Sequence, residues 1–185
     1  MTTVVMAPVT AIYYVSMALT LRHYTLADES PALAAHAALA AENFDFLLAH
    51  DAAAPWEDFV QMTRDNEVGK ALPAGFVPAA QLAADVDGEL VGRTSIRFSF
   101  NDFLAYRGGH IGYAVCPQFR RRGYATEILR ASLVIARNHG VERVLLTCDD
   151  TNIGSATVIE NNGGVLEAVV EDPNDGVRFR RYWIA

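Results

Sequence analysis

Residues 110–148 constrain the architecture of this chain more than any other stretch. His110 to Cys116 is an apolar, strand-like run that Pro117 ends, because proline cannot donate to a sheet ladder. From Arg121 to His139 the residues Ala125, Ile128, Leu129, Ser132, Leu133 and Ala136 fall on one face at helical spacing. Gly140 is a natural helix C-cap, and Val141 to Cys148 is again strand-like. A strand–helix–strand unit of this length implies two parallel strands and a right-handed crossover.

On both sides the pattern changes to hairpins. Ala80 to Val86 and Glu89 to Phe100 flank the turn pair Asp87-Gly88, and Val165 to Val170 and Val177 to Ile184 flank residues 172–176. Upstream, Thr20 to Tyr24 reads as a short strand. Ser30-Pro31 opens a helix expected to run to about His50, and Pro55-Trp56 opens another to Arg64. A loop follows through Gly69, Pro73, Gly75 and Pro78, and Asn152 to Asn161 reads as a helix. The expected class is α/β: a mixed, mostly antiparallel sheet with a central parallel strand pair and flanking helices.

With 185 residues, 51% of them hydrophobic, the chain suffices for one folded domain. That domain is expected to span residues 20–185. Residues 1–19 are apolar but lack the leading basic residues of a secretory signal. Polar residues and Pro8 also interrupt the run that a membrane span needs. The segment is therefore read as an extension outside the fold, with no membrane partner, in preference to a weak anchor. Cys116 and Cys148 make neither a disulfide framework nor a metal motif, which fits a cytoplasmic setting.

The formal net charge of −7 argues against a nucleic-acid partner. Against that background Arg120-Arg121-Arg122-Gly123-Tyr124-Ala125 is an oddity. A helix N-terminus already carries about half a positive charge, so three arginines there need an anion. Free N–H groups, the helix dipole and arginine together make a phosphate cradle. It is not a P-loop, since no Lys-Ser/Thr follows the glycine, and no G-x-G-x-x-G fingerprint is present. A solvated surface turn is the plain alternative.

The pattern Arg120-x-x-Gly123-x-Ala125, after a strand ending Tyr-Ala-Val and before Asp-x-x-Asn, resembles the acyl-CoA loop of the GNAT superfamily of N-acyltransferases. Gly-His-Ile-Gly-Tyr, Asn-Asn-Gly-Gly and Arg-Tyr-Trp-Ile look like a predicted acetyltransferase branch of it. The resemblance implies a splay between the two central strands and acetyl-CoA as acyl donor. It implies that main-chain groups of Tyr113, Ala114 and Val115 meet pantetheine. Arg120, Arg121, Arg122, Gly123, Tyr124, Ala125 and Thr126 would hold the pyrophosphate, and Asn152 would contact the cofactor. Asn152 also reads as an ordinary N-cap.

Two positions depart from the family pattern. The tyrosine usual seven residues beyond the asparagine, a general acid, is Ile159, and the strand position where some relatives carry a glutamate base is Thr147. His110 is the expected substitute base, its ordinary pKa near 6.5 suiting the task; the alternative is a histidine that satisfies strand-end backbone groups. Asp149 and Asp150 read as helix caps or as bases. The expected activity is acetyl transfer to an amine of a small molecule or peptide, with a CoA-binding sensor as the alternative and a homodimer allowed.

Overall fold

The computed structural model describes residues 19–70, 72 and 74–185. The apolar extension and Pro73 therefore lie outside the described residues, Leu19 excepted. Among the described residues seven strands and four α-helices follow the order β1 (Thr20–Arg22), α1 (Glu29–Ala40), α2 (Trp56–Glu67), β2 (Ala79–Val86), β3 (Glu89–Arg97), β4 (Ile111–Val115), α3 (Tyr124–Asn138), β5 (Val144–Asp149), α4 (Ile153–Asn161), β6 (Val165–Glu171) and β7 (Arg178–Ile184). The strands form two antiparallel sheets, ordered β1-β2-β3-β4 and β5-β7-β6.

No ladder joins β4 to β5 among the described residues. The expected central pair is instead a junction between the two sheets, made by His110. Its backbone N–H donates to the Leu145 carbonyl at 2.8 Å, and its ring Nδ1 accepts the Leu145 N–H at 2.9 Å. Gly109 permits this approach. It has a φ of +64°, and a Cβ there would sit 2.7 Å from the Leu145 carbonyl oxygen. Beyond the junction no hydrogen bond runs between the strands, and Tyr113 reaches across to donate to the Ser155 carbonyl at 3.4 Å. The splay therefore follows from one residue pair that closes the strands at a single end.

Helix α3 covers one face, burying Ile128, Leu129 and Leu133 against β2, β3 and β4. Gly92 lets it come close: a Cβ there would lie 2.3 Å from the Ala114 carbonyl oxygen and 3.0 Å from Ile128. On the other face Leu39, Phe46, Leu47, Trp56 and Phe59 form a second core with Ala83. Together these two layers fix β4 from both sides.

The first helix is shorter than its periodicity implies. It begins at Glu29, directly after the single turn Leu26–Asp28 that Thr25 and Asp28 cap reciprocally, so Ser30 lies inside it. It ends at Ala40 because Asn43 adopts a left-handed φ of 57°, and asparagine is one of the few residues that tolerate this. The Phe44 N–H closes back on Leu39. Residues 41–45 thus leave the helix and become a wall of the cleft described next.

Candidate active site

A cleft of about 810 Å³ opens where β4 and β5 diverge. Its floor is Tyr113, Ala114 and Val115; one wall is the turn from Phe119 into α3, another the start of α4, and a third Glu42, Asn43 and Phe44. Of the residues expected to hold the cofactor, Tyr113, Ala114, Val115, Arg120, Arg121, Gly123, Tyr124, Ala125, Thr126 and Asn152 all line it. Arg122 does not. Its guanidinium donates to the Gln118 carbonyl at 3.3 Å and lies over the Phe119 ring, so this arginine braces the turn from outside.

The turn is built to expose its N–H groups. Arg121 and Gly123 both have left-handed backbones, with φ of 63° and 84°. Alternation of this kind aims successive N–H groups into one concavity. Among the described residues none accepts a hydrogen bond from the N–H of residues 121–125; the first bonded donor in α3 is Thr126, to Gly123. A left-handed arginine is strained, and such strain collects where a loop must hold a ligand. The cradle therefore fits a polyphosphate.

Arg120 is occupied otherwise. Its two terminal nitrogens meet both carboxylate oxygens of Glu42 at 3.0 and 2.8 Å. The hydrogen bond holds the Glu42 carboxyl below, and the Arg120 guanidinium above, their ordinary ranges. The pair spans 78 residues and ties the 41–45 wall to the cradle. Sequence reasoning had no signal for it, because it depends on the left-handed turn at Asn43.

On the floor, β4 presents alternating main-chain groups. Its bonds to β3 run through even-numbered residues, as the Cys116 N–H to Val91 and the His110 carbonyl to Arg97 show. The N–H and C=O of Tyr113 and Val115 therefore point the other way, into the splay. Burial pushes the Tyr113 phenol up to about 12, so it stays protonated at neutral pH. Across the cleft Asn152 caps α4, its side-chain oxygen accepting the Ser155 N–H at 3.0 Å; its amide nitrogen has no partner among the described residues.

His110 stands elsewhere. It is 5% exposed, is not among the cleft-lining residues, and tilts on Phe100 at 3.9 Å between centroids. Burial, then the nearby Arg97, lowers its pKa to about 4. With Nδ1 accepting from Leu145, the neutral ring carries its proton on Nε2, so neither nitrogen offers a free lone pair. The imidazole takes the alternative role of satisfying strand-end backbone groups, as the clip between the sheets. Ile159 is 1% exposed in the core, and the Thr147 hydroxyl donates to the Arg107 carbonyl. Asp150 pairs with Arg178 and Arg180, whereas Asp149 lines the cleft.

A family model for the acetyltransferase (GNAT) domain matches residues 18–165, and the chain belongs to that family. No curated protein matches the sequence significantly. Among solved structures, Mycobacterium smegmatis RimJ in complex with CoA-disulfide is similar at TM-score 0.67 and 18% identity, over 90% of this chain and 81% of that one. The yncA protein of Salmonella typhimurium with acetyl-CoA is similar at 0.61 and 14%, over 90% and 93%. The ribosomal-protein-alanine N-acetyltransferase of Brucella melitensis gives 0.61 and 20%, over 89% and 98%. The fold is thus that of GNAT acetyltransferases. Among the described residues no helix is long and apolar enough to cross a membrane.

Proposed function

We propose that the protein is an acetyl-CoA-dependent N-acetyltransferase acting on an amine of a small molecule or peptide. The observation that carries this reading is the row of unpartnered N–H groups at residues 121–125, aimed into a cleft between splayed strands. Those groups, with Arg121 and with Arg120 once it leaves Glu42, would hold the pyrophosphate. The outward-facing groups of Tyr113 and Val115 would align the pantetheine arm, and the Asn152 amide nitrogen is free to donate to it. When bound, acetyl-CoA supplies an activated thioester. The solved relatives with CoA or acetyl-CoA, and the N-acetyltransferase name of the Brucella protein, support the same assignment.

The chain's own residues must orient the amine, polarise the acyl oxygen and manage two protons. The Val115 N–H points into the splay and is the donor placed to polarise that oxygen. The Tyr113 hydroxyl on the cleft floor donates to the Ser155 carbonyl at 3.4 Å and would have to turn from it to protonate the leaving thiolate, a step its raised pKa makes less favourable. For the amine, the cleft-lining carboxylates are Glu42, which Arg120 engages, and exposed Asp149. An alkylamine of pKa near 10 is about 0.1% neutral at pH 7, a deficit of about 4 kcal/mol. A peptide α-amine near 8 is about 10% neutral, and its deficit is only about 1.4 kcal/mol. A cleft without a dedicated base therefore favours an α-amine, with orientation supplying much of the rate. Free Cys116 and Cys148 support a reducing, cytoplasmic setting.

The test is thiol release from acetyl-CoA over a panel of α-amines and alkylamines, beside calorimetric titration of acetyl-CoA. Release that depends on an amine, faster for α-amines, is expected. Binding without release from any amine would favour a CoA-binding sensor, the reading that Ile159 and Thr147 motivate. Absence of binding would reject both.

A further inference from the structure

The face of β3 that looks away from α3 carries Arg93, Ser95 and Arg97, opposite Ala114 and Gly112 of β4. Both arginines gather over Gly112. The point a Cβ would occupy there lies 3.4 and 3.8 Å from the terminal nitrogens of Arg97 and 4.0 Å from one of Arg93. A side chain would fill this place, and glycine leaves it open. Arg93 is 5% exposed, and its Nε has no hydrogen-bond partner. One terminal nitrogen donates to the Asp45 carbonyl at 2.9 Å, and the guanidinium lies 5.0 Å from the centre of the Phe44 ring, a cleft wall. Arg97 makes no side-chain hydrogen bond or ion pair among the described residues. The Asp45 carboxylate raises the Arg93 pKa electrostatically but makes no salt bridge to either arginine among the described residues; one of its oxygens lies 3.7 Å from His36 Nδ1.

Two desolvated cations crowded at one point with no anion paired to either are costly. Burial lowers both arginines, Arg93 to about 10, and His110 beside them is neutral. The missing partner is thus an anion from outside the chain. Gly112 and Ala114 are neighbours on this face, about 7 Å apart along the strand, and Ala114 is cleft floor. We infer that Arg93 and Arg97, over Gly112, form an anion subsite that takes a carboxylate of the acceptor. The acceptor's amine lies in the cleft and its carboxylate a few bonds away, as in an amino acid or an acidic peptide N-terminus. This rests on the acetyl-transfer reading.

The test has two arms on the full chain. Arginine Nε–H resonances, assigned with R97Q and R93Q, are followed while sodium acetate is added at constant ionic strength, with acetamide as control. Saturable shifts of both arginines with acetate alone are expected, and the Arg93 shift should weaken at least about five-fold in R97Q. Absence of acetate-dependent shifts overturns the subsite whether or not the protein turns over. In the second arm, thiol release is compared for aspartate, for peptides beginning with Asp, and for their amides. A preference of about 30-fold in kcat/KM for the carboxylates is expected, falling to within about three-fold in R97Q. Which carboxylate reacts faster tells amino acid from peptide. Equal rates for acids and amides refute the subsite while transfer stands; no release from any amine refutes transfer while the resonance arm still decides the subsite.

Discussion

Replacing His110 by asparagine separates a clip from a base. The asparagine oxygen reaches about where Nδ1 lies and can still accept the Leu145 N–H, but it does not titrate. In the wild type the imidazole titrates at about 4 when folded, against 6.5 as its ordinary value. As pH falls through this window the unfolded chain takes a proton that the folded chain refuses. Its stabilisation is complete above 6.5 and is lost as pH falls toward 4. The gap is worth about 3 kcal/mol. Urea unfolding at pH 7, 6, 5 and 4 should therefore show the wild type losing about 3 kcal/mol more than H110N, since the carboxylates common to both proteins cancel. Ring packing on Phe100 gives H110N a constant offset. Parallel curves would refute the buried neutral imidazole. A loss of turnover beyond about 100-fold in H110N at pH 7, the signature of a missing base, would refute the clip as the whole role of His110.

Three other substitutions bear on the cleft. Gly123→Ala meets no neighbouring atom but keeps a φ of 84°, so strain of about 1–2 kcal/mol should be shared between lower stability and weaker acetyl-CoA binding, read by denaturation and calorimetry together; no change in either would deny the turn its left-handed requirement. Glu42→Gln frees Arg120 for phosphate and should tighten acetyl-CoA binding by roughly two- to five-fold; weaker binding would show that the pair supports the cradle rather than competing with it. Ile159→Tyr places the family's usual residue into a filled core, where Gly164 leaves no room beside Ile159, and should cost about 1–3 kcal/mol with no gain in rate; faster thiol release from I159Y would overturn that expectation.

Much of the frame was legible because it rests on local chemistry. Asn152 as N-cap, Asp87-Gly88 as a hairpin turn and the α3 stripe each act over a few residues, and each is found where periodicity and cap chemistry put it. What was not legible depends on distant partners. The apolar spacing through Leu33, Ala37, Ala40 and Phe44 favours a longer helix, but burying Phe46 and Leu47 beside Trp56 and a left-handed Asn43 end it. That turn makes the Glu42–Arg120 pair and places Phe44 over Arg93. His110 had the right residue type for a base, yet its lone pair is claimed by a residue 35 positions away. An acidic net charge of −7 by itself favours a cationic acceptor through steering, whereas Arg93 and Arg97 place positive charge with no paired anion beside the cleft. Desolvated charge at contact outweighs a screened field.

Amine-dependent release of CoA thiol from acetyl-CoA, with the acetylated product weighed by mass spectrometry, tests the central claim most directly. The account predicts one thiol released per N-acetyl group formed, with the acetyl on an α-amine. Acetyl-CoA that binds the 121–125 cradle yet never yields an N-acetyl product from any α-amine would contradict it.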